Sequence, residues 1–245
     1  GERRAAVTSL GEREGPPVLD PPYDEPAYQS SVWRVPRRPL QPIDPELMPA
    51  TGPVFGRERV RPEDADLTAG HDGEPLGQRI NVSGRIVGSD GRPVANQLVE
   101  IWQCNAAGRY AHQQDQHPAP LDPNFTGAGR CITDGDGCYR FVTIRPGAYP
   151  WRNHPNAWRP AHIHFSLFGH AFTERLVTQM YFPDDPLFDH DPIFLAVHDA
   201  NARRRLISEF DWETTEPEWA LGYRFDVVVG GRLATPAQSP AGGRS

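Results

Sequence analysis

Residues 80–102 read INVSGRIVGSDGRPVANQLVEIW, and their periodicity decides the fold. Ile80, Val82 and Ile86 alternate with polar or small residues, the two-residue period of a half-buried strand. Ser89-Asp90-Gly91 supplies a turn, and Leu98-Val99-Glu100-Ile101-Trp102 returns as a second strand, so the stretch reads as a hairpin. Residues 139–144, 161–168, 176–182 and 223–229 have the same character, with turn signals at Asp134-Gly135-Asp136-Gly137 and Arg145-Pro146-Gly147. Residues 199–210 alone read as a helix, with Asp199 as N-cap before Ala200 and Leu206-Ile207 as its apolar part. Many short strands, one short helix and loops rich in Gly and Pro define an all-β chain, a β-sandwich or barrel.

The flanks differ from this core. Residues 1–62 hold 12 of the 27 prolines. Proline at that density neither continues a helix nor donates to a ladder, so the segment is expected to run extended. Tyr23, Tyr28, Trp33 and Phe55 are interleaved with the prolines and need a surface to pack on, which reads as an arm over the domain or over a partner subunit. The expected division is an arm over residues 1–62, a β-sandwich catalytic domain over 63–233, and a loose tail over 234–245.

Composition excludes several functions. The chain has 245 residues and a net charge of −7, which argues against nucleic acid as the main partner. All 25 basic residues are Arg, so there is no lysine for a Schiff base or a phosphate-binding P-loop. Cys104, Cys131 and Cys138 are odd in number and lack C-x-x-C spacing, which excludes a disulfide scaffold or zinc ribbon and fits a reducing cytoplasm. The longest apolar run, Ile193-Phe194-Leu195-Ala196-Val197, is far short of a membrane span, and no secretory leader is visible.

The chemistry concentrates around residues 145–166. His162 and His164 are two apart in a strand-like segment, so both imidazoles project from one face, where they can share a metal. An isolated His-x-His pair is weak evidence, but Gly108-Arg109-Tyr110 and Gly147-Ala148-Tyr149 place two tyrosines in loop contexts, and Trp151, Trp158 and Arg159 lie just before His162. Phenolate is a hard anionic donor with an ordinary pKa near ~10, so two of them beside two imidazoles favour Fe(III) over Zn²⁺ or Mg²⁺. Ferric iron held in that way is a Lewis acid suited to an electron-rich diol.

The run from Tyr149-Pro150-Trp151 through Trp158-Arg159-Pro160-Ala161-His162-Ile163-His164-Phe165 resembles the intradiol ring-cleavage dioxygenases, in particular the iron-bearing subunit of their protocatechuate-cleaving branch. The likeness extends through Gln103, Asn105, Gly108-Arg109-Tyr110, Leu121-Asp122-Pro123-Asn124-Phe125 and Tyr223-Arg224-Phe225-Asp226, and covers roughly residues 25–230. It implies a β-sandwich with one non-haem Fe(III) held by Tyr110, Tyr149, His162 and His164. Tyr149 would be the axial ligand, displaced by substrate and able to accept a proton. Arg159 would stabilise charge on the activated ring, Trp151 and Ile193 would line its slot, Gln179 would sit on its polar side, and Tyr28 would reach towards the substrate carboxylate. The implied reaction opens the bond between the two hydroxylated carbons of protocatechuate with O₂, giving 3-carboxy-cis,cis-muconate without an organic cofactor or external reductant.

Catechol- and hydroxyquinol-cleaving relatives carry a long helical N-terminal segment that builds a homodimer. The proline-broken arm here instead implies a β subunit paired with a homologous α subunit lacking the iron ligands, in a higher αβ oligomer. A variant for another substituted catechol is the alternative within the family. Cys104 and Cys138 depart from the family pattern and read as small buried residues on strands; His154 is the other histidine nearest the site. Outside the family, a zinc hydrolase requires a third His or a carboxylate ligand, and a non-catalytic β-sandwich subunit requires no metal.

Overall fold

The computed structural model describes residues 19–33, 35–38, 59–151, 158–168 and 175–238. Phe55 and His154 lie outside the described residues. Eleven strands and two short helices follow in chain order: β1 Arg79–Gly88, β2 Leu98–Trp102, β3 Ala128–Ile132, β4 Cys138–Ile144, β5 Tyr149–Pro150, β6 Trp158–Arg159, β7 His162–Phe168, β8 Arg175–Tyr181, α1 Pro192–Leu195, α2 Ala200–Arg204, β9 Glu209–Glu216, β10 Ala220–Arg224 and β11 Val227–Val229.

β1 is the axis of the first sheet. Its side chains at Ile80, Val82 and Ile86 are fully buried. One edge pairs antiparallel with β4 over Arg79–Arg85. The other edge pairs parallel with β10 at Ile80–Ser83 and then with β11 at Ile86–Gly88. The predicted strand 223–229 is therefore two strands, broken at Phe225-Asp226, where Phe225 N–H donates to Ser83 O and Asp226 Oδ1 accepts from Arg85 N–H. Gly84 sits opposite the break: a Cβ there would lie 2.0 Å from Phe225 O, which also accepts from Tyr139 Oη. No side chain fits that position. β9 extends the sheet beyond β10.

The second sheet has the order β3-β2-β7-β8 and is antiparallel throughout. The hairpin expected over residues 80–102 is not what forms. The turn closes, with Gly91 N–H on Gly88 O, and Val87 bridges Pro93, but β2 then crosses to the opposite sheet. Val99 and Ile101 must be buried against β1 and β4, and a β2 lying beside β1 would leave them no second layer. Between the sheets, Phe165 meets Phe141, Tyr139 and Phe225 at ring-centroid distances of 5.8, 5.9 and 5.2 Å. Ile163, Phe165 and Leu167 of β7 fill this core, so the alternate residues His162, His164 and Ser166 face the opposite way.

The predicted helix over 199–210 is shorter than expected. Asp199 caps α2, its carboxylate accepting from Ala202 N–H, but the helix stops at Arg204 because Leu206 and Ser208 leave it to pair with Tyr181. The following β9 was not anticipated, and α1 makes a second helix where one was expected. The tail reading also fails for residues 234–238: Thr235 is buried, and this segment lies across β8 and β11. Cys104 follows β2 rather than lying on a strand, and Cys138 opens β4 with its side chain exposed rather than buried. Among the described residues no helix is long and apolar enough to cross a membrane.

Candidate metal centre

Register builds the site. On the outer face of the second sheet, Trp102 pairs with His164, His164 with Gln179, and His162 with Tyr181. Trp102 and His164 stack at 4.8 Å with their planes 3° apart. The tyrosines arrive on two interlocked loops. Gly108, at φ 77°, passes so close to Ala148 O that a Cβ would meet it at 2.4 Å, and a Cβ on Gly147 would meet Ala106 O at the same distance. Gly147 N–H donates to Asn105 O. Each glycine stands two residues before a tyrosine, so this backbone contact brings Tyr110 and Tyr149 together. β5 then pairs Tyr149 with Arg159 of β6.

The four rings form a closed circuit. Centroid separations are 5.5 Å for Tyr110–Tyr149, 5.6 Å for Tyr149–His162, 4.9 Å for His162–His164 and 6.4 Å for His164–Tyr110. His162 Nδ1 lies 2.8 Å from Pro160 O, and Arg159 Nη1 lies 3.0 Å from His162 Nε2. A guanidinium only donates and a carbonyl only accepts, so His162 carries its proton on Nδ1 and its lone pair on Nε2. His164 repeats the pattern, with Nδ1 at 3.1 Å from Gln238 Oε1 and Nε2 at 3.2 Å from Tyr110 Oη.

Burial and the Arg159 charge hold His162 well below the usual imidazole range, and bring His164 down to about 3. Burial, reinforced by Tyr149, pushes the Tyr110 phenol well above its ordinary value, and burial also raises Tyr149 against the pull of Arg159. Two neutral imidazoles, His164 with Nε2 against Tyr110 Oη and His162 with Nε2 accepting from Arg159 Nη1, stand beside two phenols that ionise only when a cation supplies the charge, a donor set that fits a hard, highly charged metal. Among the described residues no three His, Cys, Asp or Glu side chains group to hold a metal.

Arg159 is almost wholly buried and held from several sides. Asp191 takes Nε and Nη2 at 3.2 and 2.9 Å, while Gln179 Oε1 and Tyr181 Oη lie 2.6 and 3.1 Å from Nη2. Asp191 keeps the guanidinium charged against its burial. The same carboxylate caps α1 by accepting from Ile193 N–H, which ties Ile193 to the arginine. Trp151 lies 5.7 Å from the guanidinium carbon, and Tyr28 packs edge-on against Trp151 at 5.0 Å. Thus Tyr110, Tyr149, His162, His164, Arg159 and Gln179 come together directly, whereas Ile193 and Tyr28 join through an intermediary. Trp102, Tyr181, Asp191 and Gln238 were missed by the sequence reading.

Residues 50–231 match the dioxygenase family, and the chain belongs to the intradiol ring-cleavage dioxygenases as an enzyme of that family. The family depends on non-haem iron. Residues 21–46 match the N-terminal segment of the protocatechuate 3,4-dioxygenase beta subunit. The chain is 61% identical over 220 residues to the protocatechuate 3,4-dioxygenase beta chain of Burkholderia cepacia, covering 89% of this chain and 93% of the relative. It is 32% identical over 169 residues to catechol 1,2-dioxygenase of Candida albicans, covering 63% of this chain and 54% of that one. The 3-chlorocatechol 1,2-dioxygenase structure from Rhodococcus opacus 1CP shares the fold, with a TM-score of 0.52, 23% identity, and coverage of 68% and 65% of the two chains.

Proposed function

We propose that this chain is the iron-bearing β subunit of a protocatechuate 3,4-dioxygenase, opening the ring between its two hydroxylated carbons with O₂ to give 3-carboxy-cis,cis-muconate in the β-ketoadipate route of aromatic degradation. The observation that carries the proposal is the closed circuit of the Tyr110, Tyr149, His162 and His164 rings, with Arg159 Nη1 at its edge on His162 Nε2. The name of the 61% identical relative supports the substrate.

In this reading those four side chains would hold one Fe(III), which would supply Lewis acidity towards the two hydroxyls of a catechol. The hydroxyl protons need an acceptor, and Tyr149 Oη would serve as the base. Arg159, fixed by Asp191, presents Nη1 on the side shared by Tyr149 and His162, where it stabilises negative charge on the bound diol. Trp151 and Ile193 would line the ring, Gln179 would sit on its polar side, and Tyr28, packed edge-on against Trp151, would reach towards the carboxylate.

The arm over residues 1–62 would bury against a homologous α subunit without iron ligands, with residues 63–233, and the segment 234–238 packed on them, forming the catalytic domain. Val32 and Trp33, exposed at 60% and 81%, support that contact. Three unpaired cysteines support a cytoplasmic setting. The test is a visible spectrum of the purified protein before and after anaerobic addition of protocatechuate. A red-brown phenolate-to-Fe(III) band that shifts with substrate is expected. A protein still colourless after ferric reconstitution with its partner present would refute the proposal.

A further inference from the structure

We propose that Gln238 is a positioning residue for His164, and that residues 234–238 form a strap whose task is to hold it there. This rests on the reading of His164 as an iron ligand.

The strap is built into the sandwich. Thr235 N–H donates to Val228 O, and Thr235 Oγ1 accepts from Val228 N–H. Pro236 O accepts from Thr178 Oγ1 at 2.7 Å, and Gln238 N–H donates to Val177 O at 2.7 Å. Ala237 N–H donates to Asp20 Oδ1 at 2.9 Å, a contact between positions 217 residues apart that ties the strap to the N-terminal arm. At its end Gln238 Oε1, an acceptor, lies 3.1 Å from His164 Nδ1.

His164 has a competing neighbour. Gln179 Oε1 is occupied by Arg159 Nη2 and by Tyr181 Oη at 2.6 and 2.7 Å, so Gln179 turns its NH₂ towards His164, with Nε2 at 3.5 Å from Nδ1. An NH₂ group can only donate. Acting alone it would favour the tautomer with a bare Nδ1 and a proton on Nε2, the nitrogen that faces Tyr110 and the centre. Gln238 supplies the acceptor that Gln179 cannot, and so keeps the proton on Nδ1 and the metal-binding lone pair on Nε2. A partner on the outer nitrogen of a ligating histidine fixes both tautomer and ring orientation.

The experiment follows iron release from the full iron-loaded chain, co-purified with its partner, to an excess of a ferric chelator. The thermal midpoint of each iron-free protein is measured in parallel. Gln238→Leu removes the acceptor and is expected to release iron roughly ten- to a hundredfold faster, the usual effect of losing such a partner. Gln238→Glu keeps an acceptor and is expected to stay near the wild-type rate, with iron-free midpoints unchanged in both variants. A wild-type rate for Gln238→Leu overturns the proposal. So does equally fast release from Gln238→Glu, which would mean packing alone. Should Gln238→Leu fail to fold, Asp20→Ala carries the test by freeing the strap at Ala237: faster release supports the assignment and a wild-type rate overturns it. A wild-type chain that takes up no iron defeats the underlying iron reading, whereas iron-loaded wild type with an indifferent Gln238→Leu defeats only the role of the strap.

Discussion

Arg159 illustrates how a single side chain is given a fixed direction. It has only 2% of its surface exposed, and Asp191 is wholly buried. A buried ion pair owes little net stability to its attraction, but removing one partner leaves a charge in a low-dielectric interior with nothing to answer it. Asp191→Asn should therefore cost about 3–5 kcal/mol in urea unfolding at neutral pH. A loss below about 1 kcal/mol, the range of an exposed pair, would mean that Asp191 does not neutralise the arginine. Tyr149→Phe tests the neighbouring group: if Tyr149 is the proposed base and iron ligand, turnover should fall at least roughly a hundredfold and the proposed visible band should change, checked by steady-state kinetics and absorption. An unaltered rate and colour would remove Tyr149 from the site. Tyr110, Tyr149, His162 and His164 were picked out in the sequence by the His-x-His spacing on a strand, the loop contexts of the two tyrosines and the family resemblance of their flanks, and the fold brings their four rings together. Asp191 and Gln238 were not, since they lie 32 and 74 residues from the groups they serve and only the folded register brings them in.

At the scale of elements, legibility followed burial. β1, β4 and β7 direct alternate apolar residues into the core, and a two-residue period marks them in the sequence, whereas β8 is buried without a break from Thr178 to Tyr181. β9 has no such mark. It is an exposed edge strand whose sequence, EFDWETTE, carries acidic residues at Glu209, Asp211, Glu213 and Glu216, and charge on an edge strand opposes pairing with strangers. The parallel pairing of β1 with β10 and β11 joins positions about 140 residues apart, which no local pattern encodes. A shorter element, the turn Pro62–Ala65, is tied to β3 by Arg130 Nε on Asp64 Oδ2 at 2.8 Å, with Arg61 on the other oxygen. Arg130 first, and then Arg61, hold the Asp64 carboxyl at about 2. A carboxyl whose pKa falls on folding stabilises the native state above its unfolded value, near 3.8, and that contribution disappears as pH falls through about 2. Asp64→Asn should therefore unfold at lower urea than wild type at pH 5, with the gap closing between pH 4 and pH 2. A gap that persists unchanged at pH 2 would mean that the contact acts by shape rather than by charge.

For the whole molecule, the described surface is uneven in what it leaves to solvent. Two buried clusters account for the interior, one between the sheets and one where Tyr181, Phe194, Val197, Ala202 and Leu206 meet beside the site. Both are satisfied within the chain. Trp33 is not: it lies on the arm with 81% of its surface exposed, next to Val32 at 60%. A large aromatic side chain left in water contributes little to the stability of its own chain, yet aromatics of this kind anchor interfaces, where truncation commonly costs about 2 kcal/mol or more. Within its described residues the arm is also fastened at Asp20, to the strap that carries Gln238. If the arm serves the proposed α subunit, Trp33→Asp should weaken association roughly thirtyfold, the equivalent of about 2 kcal/mol, measured by co-purification and by titration of one subunit into the other. The thermal midpoint of the separated chain should not move, because the substitution removes almost no contact within it. Undiminished association would take Trp33 out of the interface, and a lowered midpoint would make it part of this chain's own packing. The pair of readouts therefore separates an arm built to dock from one that only covers its own domain.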